Sequence, residues 1–303
     1  MASDNNKQFR RTYELTIGDP QAKGIFINGD EENNEGLAIN FSITKNIDNS
    51  KDNDRCSISI TNLSEDSINY IKEKSSAVIL KVGYNGDNKL LFQGIVQELE
   101  TDDRTGNVDR VTSLRCVPAD AFIYNSNVSK TFPENTTPRQ IINYLIGNSQ
   151  SLSRASFNSD NIDVTFPFGY SIEGSTQQVL KELARDFRFD WRISSDKLYI
   201  SDPDKYEKPN SVERAFLFTP NTGLIGRPIF VTGDGRDVED SENRRKGVKF
   251  KSLINPLVRP GSAVKVQDTV LEGVYRVNSV EYRGDWRGNT WEATYTCSKL
   301  NTR

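Results

Sequence analysis

Two stretches of this chain repeat one another. Residues 80–116 read LKVGYNGDNKLLFQGIVQELETDDRTGNVDRVTSLRC, and residues 264–297 read VKVQDTVLEGVYRVNSVEYRGDWRGNTWEATYTC. Lys81-Val82 aligns with Lys265-Val266, Leu91-Phe92-Gln93-Gly94 with Leu271-Glu272-Gly273, and Ile95–Glu98 with Val277–Glu281. Both then turn through Asp, Arg, Gly and Asn (Asp102–Asn107 and Asp285–Asn289) and climb to a cysteine, Cys116 or Cys297. Single β-hairpins look alike, but an ordered series of matches marks a duplicated unit. In the second copy Trp291, Ala293, Tyr295 and Cys297 share one face, and Glu292, Thr294 and Thr296 the other, as a half-buried strand requires. The expectation is two separate β-barrels of similar build, with Lys81-Val82 and Lys265-Val266 at matching strand positions.

The segments around the repeat extend this reading. RRTYELTIG, LAINFSITKNI and CSISITNLS alternate apolar and polar residues, with Ile58 and Ile60 on one face. Ser64 caps a short helix in EDSINYIKEK, and Asn85-Gly86-Asp87 turns one strand into the next. The pattern changes near residue 130. Thr137 is an N-cap, Pro138 opens the helix and Gly147 ends it, with Ile141, Ile142 and Leu145 as its apolar stripe. SLSRASFNSDN reads as a polar loop and DVTFPF as a short strand. A second helix starts at Ser175, with Val179, Leu180, Leu183 and Phe187 on one side, and the hairpin DWRIS–KLYIS follows. After the linker DPDKYEKPNS, six strand candidates occupy the rest of the chain. The fold class is therefore mainly β with an α+β insert. Two similar tube-type β-barrel domains, residues 1–125 and 211–303, flank a small helix-plus-hairpin domain, residues 126–210.

At about 150 residues per domain, 303 residues suggest about two domains and can bury an ample core. No apolar run approaches the roughly 18 residues of a membrane span. The N-terminal MASDNNKQFRRTYELTIGD lacks a secretory leader, so a cytoplasm-like site of synthesis and no membrane anchor are expected. The chain has no histidine, which removes Ser-His-Asp and Cys-His nucleophile activation and the commonest metal ligand. Cys56, Cys116 and Cys297 are few, odd in number and far apart, which fits buried thiols better than a disulfide framework or zinc site. Charge is uneven. Residues 1–125 hold 14 Lys and Arg against 20 Asp and Glu, whereas residues 211–303 hold 15 against 11. The two ends are suited to different neighbours. Neither is basic enough for a dedicated nucleic-acid binder.

Chemical motifs fail on inspection. GDGRDVED (233–240) lacks the Gly-Lys-Ser/Thr of a phosphate loop and the spacing of a calcium loop. Asp52, Asn53 and Asp54 read as a solvated loop, and Asn135-Thr136-Thr137 is a glycosylation pattern without a secretory context. No pair of carboxylates is singled out as a glycosidase pair. Catalytic, cofactor-binding and metal residues are all expected to be absent, and the lumen and interface residues stay unassigned.

The stretches CSISITNLSEDSINYI, ILKVGYNG…LLFQGIVQELE, FPENTTPRQIINYLI, GSTQQVLKELARDFRFDWRISSDKLYI, TPNTGLIGRPIF and GVKFKSLINPLVRPGSAVKVQ…TWEATYTC occur in one order across most of the chain. In that order they resemble the baseplate hub proteins of contractile-tailed bacteriophages, and more distantly the hubs of phage-like injection machines. Arg283, before Gly284-Asp285, departs from the histidine of many relatives. The resemblance implies a structural homotrimer in the virion tail, assembled in the bacterial cytoplasm. It implies as partners a hexameric tail-tube ring, a central spike, a tape-measure protein and inner baseplate proteins. DNA would pass transiently through the lumen. Some hubs carry a fused peptidoglycan hydrolase, and the end of this chain directly after the second barrel leaves no room for one. The alternatives are a peptidoglycan-degrading tail enzyme and a glycan-binding host-recognition protein.

Overall fold

A computed structural model describes residues 9–18, 24–47, 55–73, 77–102, 109–118, 127–149, 152–194, 197–203, 215–232 and 246–299. The first segment runs β1 (Arg11–Gly18), β2 (Ile25–Asp30), β3 (Ile39–Asn46), β4 (Arg55–Thr61), α1 (Glu65–Glu73), β5 (Ala77–Tyr84), β6 (Asp87–Asp102) and β7 (Val111–Pro118). The middle runs β8 (Asn127–Phe132), α2 (Pro138–Asn148), β9 (Ser153–Asn158), β10 (Tyr170–Ser175), α3 (Thr176–Phe187), β11 (Asp190–Ser194) and β12 (Lys197–Ser201). The last runs β13 (Phe216–Phe218), β14 (Leu224–Thr232), β15 (Lys246–Leu253), β16 (Ala263–Gln267), β17 (Glu272–Asp285) and β18 (Trp291–Lys299). The fold is mainly β. It divides into two compact units, one formed by Met1–Asn46, Asn53–Pro118 and Arg214–Lys299, the other mainly by Ala119–Glu213.

In the first unit, both β-rich ends of the chain join one thirteen-stranded sheet. Its path is β14-β15-β18-β17-β3-β4-β7-β6-β5-β1-β2, with β16 also on β17 and β13 on β16. Two separate barrels were expected. Instead the ladder is continuous, and no closed barrel is found among the described residues. The cause is the length of β17. Its first residues, Glu272–Arg276, pair with β16, while Ser279–Asp285 run past the end of β16 and pair antiparallel with Asn46–Asn40 of β3. One hydrophobic core follows, from Tyr13, Leu15 and Ile17 to Tyr282, Trp291 and Tyr295. Strand β2, a ladder partner of β1 containing Gly29, escaped the alternation pattern.

Local rules hold in most elements. Ser64 Oγ accepts from the Ser67 amide at the start of α1. Asn85 and Gly86, with φ of 53° and 81°, form the two-residue turn between β5 and β6 that suits a right-twisted hairpin. Ile58 and Ile60 are buried, and so are Trp291, Ala293, Tyr295 and Cys297.

All three cysteines are free and buried. Burial pushes the Cys297 thiol up, and burial followed by the neighbouring Cys116 thiol pushes Cys56 up. Burial also raises the phenols of Tyr13, Tyr84 and Tyr295. A group whose pKa is higher folded than unfolded stabilises fully below its unfolded value and loses that contribution as pH rises. The urea midpoint should therefore hold steady to about pH 8.5, the ordinary thiol value, and fall steadily above it. Native thiols should resist a thiol reagent at pH 8 and react after denaturation. A midpoint unchanged through pH 10.5 would contradict this account.

In the second unit, Thr137 and Gln140 form a reciprocal capping box at α2, and Ser175 caps α3. Ile141, Ile142 and Leu145 of α2 pack with Val179, Leu180 and Leu183 of α3 in a core that includes Trp191. Three local expectations need correction. Gly147 lies inside α2, which continues to Asn148 and is capped at Ser149. DVTFPF is not a strand; Asp160–Asp163 form a 3-10 turn instead. The region read as a polar loop holds β9, which pairs parallel with β12 at the edge of a three-stranded sheet. An edge strand need not bury alternate residues, and here Arg154 lies over Phe157 at 4.6 Å, so the alternation signal is missing.

Candidate functional site

The repeat survives in three dimensions. β5-β6-β7 and β16-β17-β18 are both consecutive antiparallel meanders. Cys116 faces Val96, and Cys297 faces Val277. Just past each valine the register breaks, and pairing resumes at Glu98 with Arg115 and at Ser279 with Thr296. A bulge at the same place in both copies is a built feature, because it re-aims the strand. The match continues outward. Cys56 and Val248 face Cys116 and Cys297, and beyond them stand Ile43 and Phe230. β3-β4-β7-β6 and β14-β15-β18-β17 are thus the same four-stranded arrangement.

One detail of the alignment shifts. Val78 faces Gly94, and Val264 faces Tyr275, so Lys265 corresponds to Ile79 and not to Lys81. The tight Asn85-Gly86 turn lets β5 run on to Tyr84, whereas β16 stops at Gln267. A two-residue slip keeps every side chain on its face, so alternation cannot reveal it. The proposed match of hairpin tips, Asp102–Asn107 with Asp285–Asn289, falls mostly outside the described residues.

The two copies meet at the β17–β3 seam, and aromatic residues hold it. Trp286 lies edge-on to Tyr13 at 4.7 Å and to Trp291 at 6.1 Å, and Phe41 meets Trp291 at 5.4 Å. Trp286 Nε1 donates to Glu35 O at 3.2 Å, and its amide donates to Ile39 O at 2.9 Å. The Arg11 guanidinium reaches Gly288 O at 3.0 Å and lies over the Trp291 ring. Arg287 donates to Asn34 Oδ1 and to Gly36 O. Two glycines make room for the rings: Gly29 faces Tyr13 in the β1–β2 ladder, and Gly284 faces Phe41 in the seam. These residues were not anticipated. Their signal was available as a tryptophan inside a turn, DWRGN, where exposed turns rarely spend one.

Opposite the core, the sheet presents a polar face. A shallow groove of about 250 Å³ crosses the seam, lined by Asn40, Ser42, Ser57, Ser59, Arg283 and Asp285. Ser59 and Ser113 hydroxyls lie 3.1 Å apart. Charges on this face are largely matched: Arg283 with Glu281 at 2.6 Å, Lys251 with Glu292 at 2.7 Å, and Arg115 with Glu98 at 3.1 Å. Such a surface hydrates well and offers an anion little net attraction.

No group of three or more His, Cys, Asp or Glu suited to a metal occurs among the described residues. Asp52–Asp54 and residues 233–240 lie outside them. Asn135 sits in a left-handed turn with φ of 64°, and Thr136 is buried with its hydroxyl donating to Pro133 O at 2.7 Å. No described helix is long and apolar enough to cross a membrane.

A family model described as baseplate hub gp41 matches residues 22–297. Among solved structures, the 43 kDa tail protein of prophage MuSo2 from Shewanella oneidensis superposes with a TM-score of 0.62 at 14% identity, covering 95% of this chain and 98% of that one. A tail protein from Neisseria meningitidis MC58 gives 0.62 at 10% identity, with 95% and 96% covered. The E. coli c3393 protein, a component of the type VI secretion system, gives 0.61 at 14% identity, with 88% and 74% covered. At these identities the likeness is one of fold. No curated protein sequence matches the chain.

Proposed function

The chain belongs to the baseplate hub gp41 family, and from that premise we propose that it acts as a homotrimeric hub joining the tail tube to the central spike. The observation that carries this reading is the internal repeat. A hexameric tube end offers six similar docking surfaces, and three chains meet them all if each supplies two similar four-stranded arrangements. The hub is thereby an adaptor between sixfold and threefold symmetry. Its lumen holds the end of the tape-measure protein before firing and passes DNA afterwards. The polar face supports such a lumen, since its serines and matched charges bind phosphate weakly, as passage requires. A spike as partner is supported by the fold shared with c3393, itself described as similar to the T4 tail proteins gp27 and gp5. The role is structural, with no catalytic or metal-binding residue assigned. The inner baseplate proteins are further neighbours, and the site of action is the virion tail.

A reconstruction of the assembled tail tests this. Three copies of the chain at the tube–spike junction are expected. Six copies, or turnover of purified peptidoglycan by the pure chain, would overturn the reading.

A further inference from the structure

Cys56 and Cys116 stand directly opposite one another where β4 pairs with β7. In the same ladder the Asn62 amide donates to Arg110 O at 2.7 Å. Antiparallel pairs alternate between hydrogen-bonded and open, so Ile60–Thr112, Ile58–Leu114 and Cys56–Cys116 follow as hydrogen-bonded pairs. The Cα atoms of such a pair lie about 5.5 Å apart, inside the roughly 4.4–6.8 Å that a disulfide spans. Both residues are 1% exposed, and their thiols share a hydrogen bond.

The second copy shows that packing alone does not call for this pair. Cys297 takes the place of Cys116, and Val248 takes that of Cys56. Val248 is fully buried, so a small apolar side chain fills the position. The sulfur of Cys56 is therefore more than the core requires. Its placement also favours closure. Cys56 is the second residue of β4, and Cys116 stands two residues before the end of β7. The register break in β6 follows Val96, which faces Cys116, and a bulge sharpens the local twist. The Cβ atoms must close from about 5.5 Å to about 3.8 Å, and strand ends beside a bulge yield more readily than the middle of a ladder. A disulfide closed in this way carries strain, and a strained disulfide is readily reduced again.

We infer that Cys56 and Cys116 are a reversible two-electron redox pair, open while the chain is made among reducing thiols and closed into a β4–β7 disulfide when a peroxide-class oxidant meets it. Hydrogen peroxide takes one thiol to a sulfenic acid: the O–O bond breaks and one water leaves. The second sulfur attacks the first, the S–S bond forms, and the hydroxyl leaves with the remaining thiol proton as a second water. The two thiols lose two electrons, and peroxide gains them. Peroxide is little larger than water and reaches a strand end that opens locally, where a bulkier thiol reagent is kept out. The bond ties β4, whose other neighbour is the seam strand β3, and closes a loop that contains α1, β5 and β6. The pairing of the thiols stands on the ladder. Its timing, open during assembly and closed in the released particle, rests on the hub reading.

The test treats the folded full-length chain with hydrogen peroxide, removes the excess, and then unfolds the chain in an alkylating reagent. One alkylated cysteine, Cys297, is expected in place of three, together with a linked Cys56–Cys116 peptide and a mass before alkylation lower by two hydrogens. The urea midpoint should rise by about 1 M on closure and return on reduction. Cys56→Val, which copies Val248 of the second copy, should fold with a reduced-state midpoint close to that of the unsubstituted chain and lose the rise. Three alkylated cysteines after peroxide, oxygen added to Cys56 or Cys116 without a link, or a link through Cys297 overturns the pair. A midpoint unchanged or lowered by the link overturns its stabilising role. Purified tail particles should carry the linked peptide. Its absence there, with the pure chain closing as expected, overturns the timing, whereas six copies at the hub strike the hub reading and leave the thiol chemistry standing.

Discussion

Replacing Trp286 by alanine should cost the first unit about 4 kcal/mol, near the middle of the range for removing a buried large aromatic residue. Trp286 is 4% exposed although it sits in the turn after β17. Its ring is held edge-on by Tyr13 and Trp291, an arrangement worth about 0.5–1.5 kcal/mol beyond simple burial. Its indole N–H also satisfies Glu35 O. Removal opens a cavity between strands from the two ends of the chain, and nothing adjacent in sequence can close it. Trp286→Phe keeps an edge toward Tyr13 and loses the hydrogen bond, so a smaller loss of about 1–2 kcal/mol is expected. Urea unfolding followed by circular dichroism measures both. A loss under about 1 kcal/mol for the alanine variant would mean that the seam is held by its strand ladder alone.

The seam is also where sequence reading and structure part. What repeats at short range was legible: the caps at Ser64, Thr137 and Ser175, the Asn85-Gly86 turn, and the alternation that buries Ile58 and Tyr295 each depend on neighbours a few residues away. The duplication was legible too, because copies of one unit retain one order of residues. The pairing of β17 with β3 was not. Its partners, such as Tyr282 and Ile43, lie more than two hundred residues apart, and a ladder leaves no mark on sequence beyond the alternation that every strand shares. For the same reason the two-residue slip that aligned Lys265 with Lys81 instead of Ile79 was invisible, and an edge strand such as β9 passed for a loop. The polar face was written in the serines and threonines of each strand, but only the joined sheet makes it a single surface.

Gly284→Val should destabilise the first unit by about 3 kcal/mol, at the upper end for overpacking. Gly284 faces Phe41 across the seam, and a Cβ there would lie 2.2 Å from Phe41 Cζ and 2.3 Å from Cε1. The ring has little room to yield: Phe41 is 4% exposed and packs edge-on against Trp291. Either the ring leaves the core or the β17–β3 ladder parts, and both undo the seam. Valine's preference for strands offsets only a fraction of a kcal/mol to about 1 kcal/mol of this. The mechanism can be isolated with a second change. Phe41→Ala alone should cost about 3–5 kcal/mol through the cavity it leaves. Combined with Gly284→Val, the valine enters that cavity and the clash disappears, so the double variant should lose less than the sum of the single losses by at least about 1 kcal/mol. Losses that add to within about 0.5 kcal/mol would show that the glycine is required by the backbone and not by the Phe41 ring. Coupling of the expected sign would identify this ring-over-glycine contact as what lets two copies of one β unit share a single sheet.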